Sequence, residues 1–392
     1  MIRTISLVSL TALASFATAQ TPPAANPATP RATEDPSSDE AQRREVVEQL
    51  AVLLEDSYVF PDVARRYAAR LRQRAAAGDY ANLGDRFAET LEAELQAIHP
   101  DRHLRVGPAN LLGGGPRIMR RPPASESASP APGAPVRRIL PAGSTATPAP
   151  AGAAPRRVMR MPDPASAVGR SGWIAPGVAY IELGLFPGTP ESLSRIRSFL
   201  DTHRDAHAVI FDIRAHRGGG LAEMDLLFGR LFARETELLA MDTRRAVADR
   251  GGEPYRDLAT LRAVAGPEGV SRRMHFAIPD GVATALRNAR IFVLTSRRSG
   301  SAAEHFALAL KRSGRATLIG EPTAGAGHYG GVRALGHGFA AFIPVGRTFD
   351  TATGRDWEGS GVAPNVEMPA DLALDEALRQ LGVSPMQRLP LS

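Results

Sequence analysis

The sequence predicts an α/β protein in which a mostly parallel sheet is covered by helices and preceded by a small helical subdomain. From Ser171 onward, short apolar runs alternate with stretches of helical periodicity. That is the pattern of repeated β–α–β units with right-handed crossovers. Between Asp39 and His103, by contrast, apolar residues recur only at helical spacing. With 392 residues, 43% of them hydrophobic, the chain has material for a sizeable core and an appendage.

Taken in order, residues 1–19 have the layout of a secretory signal. Arg3 supplies the charge, Ile5 to Phe16 a short apolar core, and Ala17-Thr18-Ala19 a small-residue cleavage site that leaves Gln20 first. Export to the periplasm or beyond is therefore expected. Residues 20–38 are a Pro/Ala/Ser linker without the apolar surface to order itself. In the helical subdomain, residues 39–106, Val46, Val47, Leu50, Leu53 and Leu54 mark a first helix. Phe60-Pro61 opens a second, with Val63, Tyr67 and Leu71 on one face, and Phe87, Leu91 and Leu95 mark a third.

Residues 107–170 hold 13 of the 32 prolines and show no periodicity, so a disordered insertion is expected. Three arginine clusters lie in it, at Arg117-Ile118-Met119-Arg120-Arg121, Arg137-Arg138 and Arg156-Arg157-Val158-Met159-Arg160. They read either as solvated linker or as a weak tether to an anionic envelope surface. The α/β domain occupies 171–385 and a short tail 386–392. Its strands are expected at 178–183, 208–213, 289–295 and 316–319, with hairpin-like strands at 331–347. Its helices are expected at 190–203, 221–232, 302–312 and 371–381.

Composition excludes several chemistries. Without cysteine there is no disulfide framework, thiolate nucleophile or Cys-ligated metal. The net charge of +6 suggests nucleic acid until it is located. Nine arginines against Glu126 and Asp163 place +7 in residues 107–170, so the rest is near neutral and no nucleic-acid groove is indicated. Of the 47 cationic residues one is lysine, Lys311. No His-Glu-x-x-His or comparable ligand cluster is present, so a catalytic zinc is not indicated.

Three segments place special backbone or a reactive side chain at a strand end. Phe211 to Gly220 runs a buried strand into a triple glycine, a place for either bare N–H groups or a tight turn. Leu294 to His305 opens a helix at Ser301, where a nucleophile gains from the helix dipole. Ser301-Ala302-Ala303-Glu304 is equally a capping box. Gly320 to Gly331 is a glycine-rich strand exit that lacks the Gly-Lys-Ser/Thr end of a P-loop.

In that order, with Trp357-Glu358-Gly359-x-Gly361-Val362-x-Pro364 behind them, these segments resemble the S41 family of serine peptidases. That family includes the tail-specific and C-terminal-processing proteases, with tricorn-core and interphotoreceptor-retinoid-binding-protein relatives. Tyr58-Val59-Phe60-Pro61 and Asp101-Arg102-His103-Leu104 resemble its N-terminal motifs. The resemblance implies a crotonase/ClpP-like core, a peptide or protein substrate and a serine nucleophile at Ser301. Where the processing proteases carry their base lysine, Ala326 stands, and Lys311 lies about 15 Å along the serine's own helix. A Ser–Lys dyad is excluded. The tricorn-like alternative implies His103 as base and Glu358 as its orienting carboxylate. It also implies an oxyanion site from the N–H groups of Gly218 or Gly219 and of Ala302. Arg102 and His216 depart from the family pattern, and no segment resembles a PDZ domain. His328 is the rival base, and His305 reads as packing or surface. The reading is an exported Ser-His-Glu peptidase that needs no metal or organic cofactor, set against a catalytically silent module that binds a hydrophobic ligand or peptide.

Overall fold

The computed structural model describes residues 36–112 and 167–391. The expected signal, most of the linker and the body of the 107–170 insertion lie outside them. Both margins of that insertion belong to the fold, since strand and helix continue to Leu112 and a strand is present from Val168.

The N-terminal unit consists of α1 (Pro36–Ser57), α2 (Pro61–Ala76) and α3 (Phe87–Ile98). Pro61 starts α2 because its fixed φ suits the first helical position and its missing N–H costs nothing there. Val46, Leu50, Leu54, Tyr67, Leu71, Phe87, Leu91 and Leu95 are buried in one cluster. Leu335, Ala341 and Ile343 from a distant hairpin join the same cluster, so the helices pack on a sheet and have no separate core.

The chain continues through β1 (Arg105–Pro108), the one-turn α4 (Ala109–Leu112), β2 (Val168–Ala175), β3 (Val178–Leu183), α5 (Pro190–Thr202), β4 (Ala208–Asp212) and α6 (Ala222–Leu231). Then come β5 (Thr236–Arg244), α7 (Arg245–Asp249), β6 (Leu261–Val264), β7 (Val270–Ala277), β8 (Arg290–Thr295) and α8 (Ala302–Arg312). The last elements are β9 (Thr317–Gly320), β10 (His328–Gly336), β11 (Phe339–Phe349), β12 (Val366–Glu367) and α9 (Ala373–Gln380).

One sheet has the order β12-β9-β8-β4-β3-β2, parallel except where β2 meets β3. Along β4, Val209 and Phe211 face α5, α6 and α8, while Ala208 and Ile210 face α9. Burial on both faces is why this strand is a continuous apolar run. The second sheet, β1-β11-β5-β7-β6 with β10 also on β11, is antiparallel. Only its β10–β11 hairpin was legible. The segment from 241 to 275 reads as loop in sequence because β7 carries Ser271, Arg272 and Arg273 at half-buried positions. Those arginines are tolerated there because Arg272 pairs with the buried Asp242 across the sheet.

No described helix is long and apolar enough to cross a membrane. Phe306 on α8 is fully buried and contacts Phe186, Phe211 and Phe228. Phe306→Ala is expected to cost about 3–5 kcal/mol, read as a lowered midpoint in urea unfolding; a change under about 1 kcal/mol would contradict this packing.

Candidate active site

At the carboxyl end of β8 the chain makes a tight turn, Ser296 to Ser299, before α8 begins. Ser299 Oγ donates to Ile213 O, Ser296 Oγ donates to Arg214 O, and Gly300 N donates to His216 O. These bonds lash the turn to the exit of β4. Ser301 then adopts φ 60° and ψ −118°, a left-handed backbone that non-glycine residues occupy at a cost of about 1–3 kcal/mol. The expected capping box with Glu304 is present: Ser301 N donates to Glu304 Oε2 at 2.7 Å, and the Glu304 N–H turns back on Ser301, donating to its carbonyl. The hydroxyl thus stands at a strained turn beside a helix N-terminus.

Gly218 lies against that hydroxyl. A Cβ at Gly218 would sit 2.8 Å from Ser301 Cβ and 3.2 Å from its Oγ, and φ is +106°. Only glycine fits this approach. The Gly218 N–H, one of the expected oxyanion donors, is engaged: it donates to His216 Nδ1 at 3.0 Å. Burial lowers the His216 pKa to about 3, so the ring is neutral and its Nδ1 is an acceptor. The expected donors that remain are the N–H of Gly219 and that of Ala302, the first residue of α8, where helix geometry provides no acceptor.

Glu304 holds the neighbouring loop to the same place. Its Oε2 also accepts Ala326 N at 2.8 Å, and its Oε1 accepts Thr323 Oγ1 and Gly325 N. Burial raises its pKa against the pull of these four donors. Ala324 N donates to Ser299 O, so residues 324–326 are fastened to the Ser301 turn and to Glu304.

That loop delivers His328, the first residue of β10. Its Nδ1 lies 2.8 Å from Asp101 Oδ2 and 3.8 Å from Glu358 Oε2. Its Nε2 is buried, has no hydrogen-bond partner, and lies 3.9 Å from Asp356 Oδ2. Asp101 is itself fixed: Oδ2 accepts Tyr58 Oη at 2.8 Å, and Oδ1 accepts the N–H groups of His103 and Leu104. Burial works to lower the His328 pKa, but the Asp101 bond and charge, with Glu358 and Asp356, outweigh it and the net shift is upward. Burial likewise works to raise the Asp101 pKa, but the bond from His328, with its charge and the Tyr58 and backbone donors, brings it below its usual value. Asp101, His328 and Glu358 are also spaced to ligate a metal ion, with one atom from each within 4.8 Å of the others. Each carboxylate in that set already accepts hydrogen bonds from protein donors.

His103 and Glu358 were expected to meet, and the structure places them otherwise. Glu358 Oε1 accepts Arg102 N at 2.6 Å, and its Oε2 accepts Gly327 N at 2.6 Å. Burial raises the Glu358 pKa. The ring of His103 stacks on Phe342 with centroids 5.6 Å apart, and its Nδ1 is enclosed without a partner. Burial lowers its pKa to about 4. The carboxylates therefore converge on His328, and His103 contributes its backbone N–H to Asp101. The aspartate is the site residue that motif reading passed over. Its signal stands in Asp101-Arg102-His103-Leu104, two residues before the histidine that the family resemblance points to.

His99 borders the site through Phe60, whose ring contacts both His99 and His328, whereas His305 and His275 lie away from it. His305 Nε2 and His275 Nδ1 are 2.9 Å apart, and His275 Nε2 reaches Asp225 Oδ1 at 2.8 Å, all in the core behind α8. Lys311 donates to Ala363 O at the surface.

Comparison with known proteins gives a consistent picture. The model of peptidase family S41 matches residues 177–368, and that of the N-terminal domain of S41 peptidases in eukaryotic interphotoreceptor retinoid-binding protein matches 40–123. The chain is 26% identical over 209 residues to carboxyl-terminal-processing peptidase 2, chloroplastic, of Arabidopsis thaliana, covering 53% of this chain and 35% of that one. It thus spans about a third of the length of that curated relative. Among solved structures, a chain from Parabacteroides merdae described as a candidate peptidase aligns over 89% of this chain and 99% of its own, with 14% identity and a TM-score of 0.52. A photosystem II D1 C-terminal processing protease aligns over 55% and 52%, with 21% identity and a TM-score of 0.38.

The contact at Gly218 is testable by stability alone. Gly218→Ala is expected to destabilise by about 2–3 kcal/mol, from strain plus the clash with Ser301. Gly188→Ala also has positive φ, but open space around it, and is expected to cost only about 1 kcal/mol. Equal melting temperatures for the two variants would contradict the close approach.

Proposed function

The chain belongs to peptidase family S41, and we propose that it is a serine peptidase in which Ser301 is the nucleophile and His328, oriented by Asp101, is the base. The observation that carries this reading is the imidazole of His328, bound at Nδ1 by a buried carboxylate and unpartnered at a buried Nε2. It stands in the loop that Glu304 fastens beside Ser301.

In this mechanism Ser301 Oγ attacks the scissile carbonyl carbon and His328 Nε2 takes the hydroxyl proton. The bond to Asp101 keeps the second proton on Nδ1 and stabilises the imidazolium that forms. The carbonyl oxygen, now negative, is held by the N–H groups of Gly219 and Ala302, each worth roughly 10²–10³ in rate. His328 returns the proton to the leaving amine, the C–N bond breaks, and an acyl ester remains on Ser301. Water activated by the same imidazole then hydrolyses that ester. Glu358 fixes the His328 backbone and adds negative charge beside the ring. The substrate is a peptide or protein. The residue 1–19 signal supports export as the setting, periplasmic or secreted, and the basic 107–170 insertion supports weak contact with an anionic surface there.

Ser301→Ala is expected to lower kcat by at least about 10³-fold and to abolish fluorophosphonate labelling; undiminished turnover would refute the nucleophile. The two histidines are separable by pH. A base must be neutral to accept a proton, so activity falls as pH drops through its pKa. With His328 as base, the acid limb of kcat/KM lies above the ordinary histidine value near 6.5. With His103 as base it would lie near 4. A limb above 6.5 that vanishes with His328→Ala but persists in His103→Ala is the expected result.

A further inference from the structure

Most arginines of the described chain have a partner for the guanidinium. Arg72 pairs with Glu48 and Glu55, Arg272 with Asp242, and Arg214 with Asp212. Arg102, Arg217, Arg297 and Arg298 differ. All four are exposed, and the hydrogen bonds they donate come from backbone N–H alone. None has a guanidinium hydrogen bond or ion pair to a described residue.

They also share one edge of the molecule. Arg217 precedes Gly218, which touches Ser301. Arg297 and Arg298 form the turn between β8 and Ser301. Arg102 follows Asp101, and its N–H is fixed to Glu358. The carboxylates along that edge are already occupied. Asp101 and Glu358 hold His328 and backbone donors, Asp212 holds Arg214, Asp356 faces Arg347, and Glu304 has its four donors. Glu321 accepts the Arg297 N–H and is the remaining carboxylate there without a cationic partner among the described residues. The rim beside Ser301 thus carries four guanidinium groups without ion-pair partners against the single free carboxylate of Glu321, although the chain outside residues 107–170 is near neutral.

We infer that this rim selects peptides with aspartate or glutamate side chains flanking the scissile bond. The inference rests on Ser301 marking the cleavage site. A planar guanidinium free of intramolecular partners binds a carboxylate through two parallel N–H bonds without first breaking an existing pair. Several such groups around one cleft also raise the arrival rate of acidic chains, an effect that salt screens.

The test uses full-length protein carrying Ser301→Ala, so that binding is read without hydrolysis. Two labelled peptides, identical except for two Glu-to-Gln exchanges, are titrated by fluorescence anisotropy at about 50 mM and about 500 mM salt. The expected result is about tenfold tighter binding of the Glu peptide at low salt, converging at high salt. The pair Arg297→Gln and Arg298→Gln is expected to bring the low-salt ratio down to within about threefold of unity. Equal affinities in the starting protein, or a ratio unmoved by the double change, overturns the inference. Amidating the peptide C-terminus separates the two sources of carboxylate. A preference that survives supports side-chain recognition, and one that disappears overturns it in favour of a terminal carboxylate. Fluorophosphonate labelling of the unsubstituted protein reports separately on Ser301, so loss of that reading is distinguishable from loss of this one. Should Ser301→Ala fail to fold, the kcat/KM ratio of the same peptide pair on the unsubstituted chain reads the preference.

Discussion

The bond between Asp101 and His328 joins residues 227 positions apart, and the geometry of the site depends on it. A carboxylate and an imidazole buried this deeply are stable only if each finds the other and the leftover acceptors are filled. Asp101 meets that condition with four donors: the His328 ring, the Tyr58 hydroxyl and the N–H groups of His103 and Leu104. The helical unit and the sheet domain are therefore held in register by a polar contact at the same point where β1 adds to β11. Removing one partner would strand the other in a dry interior, which is why such pairs are far costlier to break than to build.

Glu304 plays the matching part on the other side of the hydroxyl. A serine at φ 60° relaxes unless its surroundings over-determine the turn. Here the carboxylate takes the Ser301 N–H with one oxygen while both oxygens hold the 323–326 loop. The strain at Ser301 and the placement of the His328 loop are thus coupled through one side chain. Gly218 then closes the wall opposite, where any larger residue would collide with Ser301.

Much of this was legible in the sequence, for reasons that can be named. Strands buried on both faces, such as Ala208–Asp212, declare themselves as apolar runs, and α2 declares itself through Pro61 and the spacing of Val63, Tyr67 and Leu71. Strand β7 was hidden because its polar residues are half-buried and paired across the sheet, so neither period appears. At the site, the motifs pointed to the loops that meet around Ser301 but not to the pairing among them. Motif position cannot distinguish a histidine that offers its ring from one that offers its backbone N–H. Asp-x-His-Leu reads as a histidine motif, yet it is the aspartate whose side chain reaches across to β10.

That distinction also explains why two histidines beside one carboxylate are driven apart in basicity. His328 presents its ring nitrogen to Asp101, so the charge it acquires on protonation is met at hydrogen-bond distance and its pKa rises despite burial. His103 meets the same carboxylate through its backbone, keeps Nδ1 unpartnered and stacks on Phe342, so burial dominates and its pKa falls. A protonated His328 also disfavours charge on His103, which widens the gap. A site with one basic and one persistently neutral imidazole has a single defined proton acceptor. In the proposed mechanism that acceptor is His328, and Asp101 of the N-terminal unit orients it.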